Sequence, residues 1–164
     1  MDTRMATLAD IGLINSMAWR VFPPTYKGII AEEQIQFMMQ WMYSEENLRR
    51  QITRQGHTFL MAEEGKEPAG YVSVSSEEAT LWELHKLYVL PDWQQKGVGK
   101  TLFNAAIAHI KALQQGPCVM QLHVNRHNKA LGFYQHMGMK IAREGDFDIG
   151  NGFYMNDYIL SIDL

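Results

Sequence analysis

From Leu87 to Lys100 the chain reads Leu-Tyr-Val-Leu-Pro-Asp-Trp-Gln-Gln-Lys-Gly-Val-Gly-Lys: an apolar run, a turn, then two glycines and two lysines. The apolar run predicts a buried strand, and Gly97-Val98-Gly99 opens the helix that follows. The first turn of a helix offers N–H groups without intrahelical partners and the positive end of its dipole. Glycines at 97 and 99 let an anion come close to those groups, and Lys96 and Lys100 add positive charge. Gln94, Gln95, Lys96, Gly97, Val98, Gly99 and Lys100 are therefore expected to form a pyrophosphate cradle. Two common versions of such a cradle fail on spacing. A Walker A loop needs its first glycine at 94, where Gln94 stands, and the dinucleotide fingerprint needs a third glycine at Leu102.

The spacing that fits is [Q/R]-x-x-G-x-[G/A], on Gln94, Gly97 and Gly99. A second segment, Val124-Asn125-Arg126-His127-Asn128-Lys129-Ala130-Leu131-Gly132-Phe133-Tyr134-Gln135-His136-Met137-Gly138-Met139, looks like N-x-x-A-x-x-F-Y-x-x-x-G-F from Ala130 on, with His127 in the place of the Asn and Met139 for the final Phe. The two segments, one helix and one strand apart, resemble the GNAT N-acetyltransferases. The resemblance implies an acyl-CoA N-acyltransferase fold and acetyl-CoA as acyl donor. It also implies that the backbone of Leu87, Tyr88 and Val89 meets the pantetheine arm and thioester, and that Tyr134 is the general acid. A phenol can protonate the departing thiolate, which gives that role its chemical sense. Asn128 is expected either to contact the cofactor or to cap its own helix. Gln94 departs from the commoner arginine, so Lys96 and Lys100 carry more of the phosphate attraction.

An alkylammonium must lose a proton before it can attack. Glu83 and His85 stand two apart, on one face of the strand before the cradle, and are the candidate bases. On the acceptor side, Trp19, Phe22 and Tyr26 are candidates to line the entrance. Asp146, Asp148 and Asp157 surround Asn151-Gly152, a strong hairpin-turn signal, and could attract a cationic amine. Tyr26 and Asp148 are the expected acceptor contacts. This tail and the central motifs resemble the PaiA-like polyamine acetyltransferase branch. His123 and His127 have metal-like spacing, but Val124 stands where H-E-x-x-H needs Glu, so no metal site is expected. Cys118 reads as a packing residue, and no Ser or Cys motif suggests a covalent acyl-enzyme.

The elements that must position these residues are legible in the periodicity. Residues 3–7 read as a strand, and a helix from Asp10 is expected to end at Pro23-Pro24. Another helix spans 31–41, and Ser44 caps a further one. Strands follow at 58–62, 69–75 and 81–89, then a helix at 97–113, a strand at 119–124 and a short helix at 128–136. Strands at 139–143 and 153–162 close the chain. The main order, β-α-α-β-β-β-α-β-α-β-β, predicts a mixed α/β fold with a mostly antiparallel sheet flanked by helices. Strands 81–89 and 119–124 should lie parallel, and a splay between them would leave a gap that an amide-rich arm could complete as a pseudo-strand.

At 164 residues with 46% hydrophobic content, the chain reads as a single domain, 1–164, with room for a proper core. A net charge of −3 offers no general attraction to nucleic acid or anionic membranes. One cysteine, no signal-peptide pattern and no long apolar run give a cytoplasmic expectation. Monomer and homodimer stay equally open. An active acetyltransferase is the reading carried forward. The alternatives are a non-catalytic acyl-CoA sensor of the same fold and a P-loop phosphotransferase.

Overall fold

A computed structural model describes all residues, 1–164. Its sheet holds seven strands: β1 (Asp2–Met5), β2 (Thr58–Glu64), β3 (Glu67–Glu78), β4 (Leu81–Val89), β5 (Val119–Asn125), β6 (Lys140–Gly150) and β7 (Phe153–Asp163). They are arranged β1-β2-β3-β4-β5-β7-β6, and only β4 and β5 run parallel. Helices α1 (Ile11–Tyr26), α2 (Glu32–Tyr43) and α3 (Glu45–Thr53) cover one face. Helix α4 (Val98–Leu113), with α5 (Ala130–His136), covers the other. The mixed, mostly antiparallel sheet expected from the sequence is the one found.

Each layer has its own core. On α4, Val98, Leu102, Phe103, Ala106 and Ile110 recur at helical spacing and bury against Val72, Leu84 and Leu122 of the sheet. The opposite core joins Ile14, Phe22, Met39, Tyr43 and Leu48 to Phe59, Met61 and Tyr71. Ser44 caps α3 as expected, its hydroxyl accepting from the Asn47 N–H at 3.3 Å.

The end of α1 and the extent of β6 differ from expectation. Helix α1 runs through Pro23 and Pro24 to Tyr26. A proline inside a helix costs about 3 kcal/mol when it removes buried bonds. Here the carbonyls left without donors belong to Trp19 and Arg20, which are exposed to water. The last turn is held by Thr25 Oγ1 donating to Val21 O at 2.6 Å and by the Phe22–Tyr26 ring contact at 4.5 Å. Strand β6 extends to Gly150 rather than stopping at Arg143, and pairs with β7 as far as Gly150–Phe153. The hairpin turns on Asn151 (φ 55°) and Gly152 (φ 78°), as Asn-Gly predicts.

One irregularity organises the centre of the sheet. Along β4 the partners on β3 run Ser73–Lys86 and then Val74–Leu84, so His85 is an extra, bulged residue. Trp82 and Leu84 pack on the α4 side, and beyond the bulge Leu87 and Val89 do so, with the alternation shifted by one. The parallel pairing with β5 covers only Leu81–Val119, Trp82–Met120 and Glu83–Gln121. It ends two residues before the bulge, and the strands splay from there.

Gly70 is the tightest point beside this splay. A Cβ there would stand 2.3 Å from Tyr88 O and 3.2 Å from Leu102 Cδ1. Gly70→Ala is therefore expected to lower stability by about 1–3 kcal/mol, the usual cost of overpacking, in urea unfolding. Acetyl-CoA affinity should fall with it, because Tyr88 and Val89 must shift.

Candidate active site

The loop between β4 and α4 turns sharply: Gln95 adopts φ 62°, a left-handed conformation rare outside glycine, and Gly97 caps α4 at φ 81°. No backbone N–H from Gln95 to Lys100 has a backbone partner, and the first such bond is Thr101 N–H to Gly97 O at 3.0 Å. This is a row of donors at a helix N-terminus, the arrangement that binds pyrophosphate. Gln94 ties the loop to β4, its Nε2 donating to Val89 O at 3.2 Å. The Lys96 ammonium lies 5.4 Å over the Trp93 ring. Gly99 has a packing role as well, since a Cβ there would come within 3.2 Å of the Phe133 ring.

Beyond Glu83 the β4 edge facing β5 carries no strand partner. Leu90 N–H donates to Ala69 O, so alternation turns the Tyr88 backbone towards β3 and those of Leu87 and Val89 into the gap. Of the three residues expected to act through their backbones, Tyr88 is thus committed to Tyr71 on β3. Its side chain lies in the α1–α3 core, its hydroxyl hydrogen-bonded to that of Tyr43.

Tyr134 sits on α5 beside the gap, 7% exposed, and burial raises its pKa well above that of a free phenol. Asn128 serves two purposes: its Oδ1 accepts from Ala130 N–H at 2.9 Å and its Nδ2 donates to the Tyr26 hydroxyl at 3.2 Å. Burial pushes the Tyr26 phenol up to about 12, against the lowering effect of the Asn128 bond. Of the three aromatic entrance candidates, Tyr26 lines a pocket with Gln34, Asn125 and Asp157. Phe22 is core, and Trp19 is exposed on the outer side of α1.

The sheet face beneath α1 and α2 carries a row of polar side chains. Glu83 and His85 share this face as expected, and the bulge adds Lys86 to it. Burial is the main cause raising Glu83, opposed by the Gln121 amide donating to it at 2.8 Å. His123 stands between two carboxylates, Nδ1 at 3.4 Å from Asp157 and Nε2 at 3.9 Å from Glu83. Its pKa is raised, chiefly by the Asp157 contact. His85 is occupied otherwise: its Nε2 lies 2.7 Å from Ser75 Oγ, and its ring stacks on His57 at 4.0 Å. Burial, then His57 and Lys86, take it down to about 3, which makes it a weak base.

Asp148 does not reach this face. Phe147 and Ile149 point towards His123 and the α1–α3 core, so Asp148 between them points away, its Oδ1 accepting from Gly150 N–H at 2.8 Å. Asp146 is likewise exposed and paired with Arg126. The carboxylate that reaches the site is Asp157, 1% exposed on β7. His123 was weighed in the sequence only as a metal ligand. Its signal lay in strand alternation, which puts Gln121, His123 and Asn125 on the face opposite Met120, Leu122 and Val124.

A family model described as an acetyltransferase (GNAT) domain matches residues 27–155. The chain belongs to the GNAT acetyltransferases. It is 29% identical over 146 residues to a spermidine N(1)-acetyltransferase of Thermoplasma acidophilum, covering 86% of this chain and 89% of that one. An uncharacterized N-acetyltransferase of Mycobacterium tuberculosis is 27% identical over 154 residues, with 93% and 97% covered. Among solved structures, the PaiA N-acetyltransferase of Thermoplasma acidophilum in complex with coenzyme A superposes with a TM-score of 0.80 at 25% identity, covering both chains fully. Arabidopsis thaliana NAA60 with a bisubstrate analogue shares the fold at TM-score 0.72 and 19% identity, covering 99% of this chain and 97% of that one.

This GNAT protein is an N-acetyltransferase that uses acetyl-CoA, and the resemblance drawn from the two motifs holds. Its own geometry fits that donor: a row of free N–H groups for the pyrophosphate and an unpaired β4 edge for the amide arm. The phosphotransferase alternative falls with the family match. No helix is long and apolar enough to cross a membrane.

Two outcomes test this description. Gly97→Glu forces a side chain and a negative charge onto a left-handed N-cap, so calorimetry should find acetyl-CoA binding abolished. The buried histidines predict acid sensitivity. Burial holds His57 down to about 4 and His85 down to about 3, both below the ordinary 6.5. Between those values the unfolded chain binds more protons, so stability is complete above 6.5 and is lost as pH falls towards the folded values. Urea unfolding between about pH 7 and 4 should show this decline, and His85→Phe should flatten it.

Proposed function

We propose that the protein transfers the acetyl group of acetyl-CoA to a primary amine of a polyamine by direct attack within a ternary complex. The observation that carries the reading is the splay of β4 from β5 with the buried Tyr134 beside it, next to an acid-lined face under α1 and α2. The relative named for spermidine acetylation and the PaiA neighbour support the polyamine as acceptor. Acetyl-CoA supplies an activated acyl carbon and a thiolate leaving group.

The chain's residues then have distinct tasks. Gln94, Gln95, Lys96, Gly97, Val98, Gly99 and Lys100 hold the pyrophosphate, and the Leu87 and Val89 backbone orients the thioester arm. A backbone N–H turned into the gap can also stabilise the oxyanion of the tetrahedral intermediate. Glu83 accepts the proton of the acceptor ammonium, through water. Its raised pKa brings a carboxylate closer to working pH, which is the direction a general base needs. The freed amine forms the new C–N bond as the C–S bond breaks, the Tyr134 hydroxyl gives its proton to sulfur, and the second proton that the new amide nitrogen sheds restores the Tyr134 hydroxyl. Tyr134 is protonated at neutral pH because burial raises it. Alignment of amine and thioester contributes most of the acceleration, with an effective molarity of up to about 10⁵–10⁸ M for well-oriented groups.

Tyr134→Phe should lower turnover roughly 10²–10⁴-fold, the range for acid–base assistance, with acetyl-CoA affinity unchanged. Unchanged turnover would remove Tyr134 from the acid role. A thiol-release assay over spermidine, amino acids, aminoglycosides and peptide N-termini tests the acceptor, and faster release with peptides than with spermidine would overturn the polyamine reading.

A further inference from the structure

Asp157 is a buried carboxylate without its complement. It is 1% exposed, and neither of its oxygens has a hydrogen-bond partner. No lysine or arginine pairs with it. The one cationic candidate, His123, stands 3.4 Å away, itself partly exposed and shared with Glu83. An ionised carboxylate taken out of water costs several kcal/mol unless a cation and hydrogen-bond donors replace the water. The fold supplies only this shared histidine and no hydrogen-bond donor, which leaves Asp157 short of a partner that a ligand could provide.

Asp157 lines a small pocket of about 10 Å³, room for one water-sized group such as an ammonium. Ile30, Met38 and Met155 form apolar walls, and Tyr26, Gln34 and Asn125 join Asp157 as the polar groups. Gln34 turns its amide nitrogen outwards to Tyr154 O at 2.7 Å, which leaves its carbonyl oxygen available as an acceptor. A carboxylate with an amide oxygen at the end of apolar walls matches a primary ammonium on a short alkyl chain. Such a carboxylate also keeps the ammonium charged, the opposite of what an attacking nitrogen requires.

We infer that Asp157 binds the second, non-reacting ammonium of a diamine or polyamine acceptor, and so reads the distance between its two charges. The assignment rests on the polyamine reading above. The pocket lies next to Asn128 and Tyr26, at the end of β5 where the gap opens, so an acceptor held by one end here presents its other amine to the thioester. Tyr26 forms the wall between the two, its hydroxyl fixed by Asn128.

The test compares 1,4-diaminobutane with n-butylamine, which have the same chain and differ by one charge. Thiol release by the full chain should give the diamine a kcat/KM about ten- to a hundredfold higher, because butylamine can place its one nitrogen at Asp157 or at the thioester and the diamine fills both. In Asp157→Asn, which keeps the side-chain shape, the two amines should react alike while acetyl-CoA affinity stays unchanged. Asp157→Glu should restore part of the preference. Retained preference for the diamine in Asp157→Asn would overturn the assignment. So would equal losses for both amines, which would put the reacting nitrogen at Asp157. Absence of thiol release with every amine counts against the polyamine reading, whereas turnover without discrimination counts against Asp157 alone.

Discussion

The extra residue at His85 governs the geometry on both sides of the sheet. A strand that accommodates two residues opposite one bends and twists more strongly, and a parallel neighbour cannot follow it. Pairing with β5 accordingly stops at Glu83, and the N–H and C=O groups of Leu87 and Val89 are left facing a gap. The same extra residue shifts alternation, so Leu87 and Val89 rather than Lys86 and Tyr88 meet the α4 core. One backbone irregularity therefore opens the space for the donor and delivers an additional polar side chain, Lys86, to the acceptor face.

Lys86 shows what that delivery costs and how it is offset. Burial takes its ammonium down to about 7. Donation to Gln51 Oε1 at 2.6 Å and to Met42 O at 3.2 Å, with the Tyr43 ring 4.6 Å below, compensates the lost hydration. Because Met42 is on α2 and Gln51 on α3, this one side chain pins the junction of two helices to the sheet. The helical layer over that sheet face is thus fixed from the strand that splays from β5.

Backbone-built features were the legible part of the sequence. The cradle needs glycines at set positions, the Ser44 cap needs a hydroxyl before a helix, and the β7 hairpin needs Asn-Gly; each leaves a local signature. The acceptor site leaves none, because it is assembled from residues on different strands and helices. Asp148 and Asp157 are both acidic and close to one turn, yet one faces solvent and the other is buried. Only the register of β6 against β7 separates them, and a strand ending at Arg143 does not set that register. The prolines of α1 misled for a related reason: the exposure of two carbonyls, not the local sequence, decides whether the helix can pass them.

This difference in legibility follows from what each site recognises. A pyrophosphate and an amide arm present repeated polar groups to the protein, and backbone N–H and C=O groups meet them with no side chain required. Such a site tolerates wide change in sequence provided its glycines and strand edge remain. An acceptor amine is distinguished from its competitors by charge position and chain length, which only side chains can read. The row from Asp157 through His123 to Glu83 runs across three strands, β7, β5 and β4, whose order is fixed by the fold and whose residue types are not. On the acceptor reading proposed above, acceptor choice can be rewritten at those positions while the gap beside them, built from backbone, continues to hold the same donor.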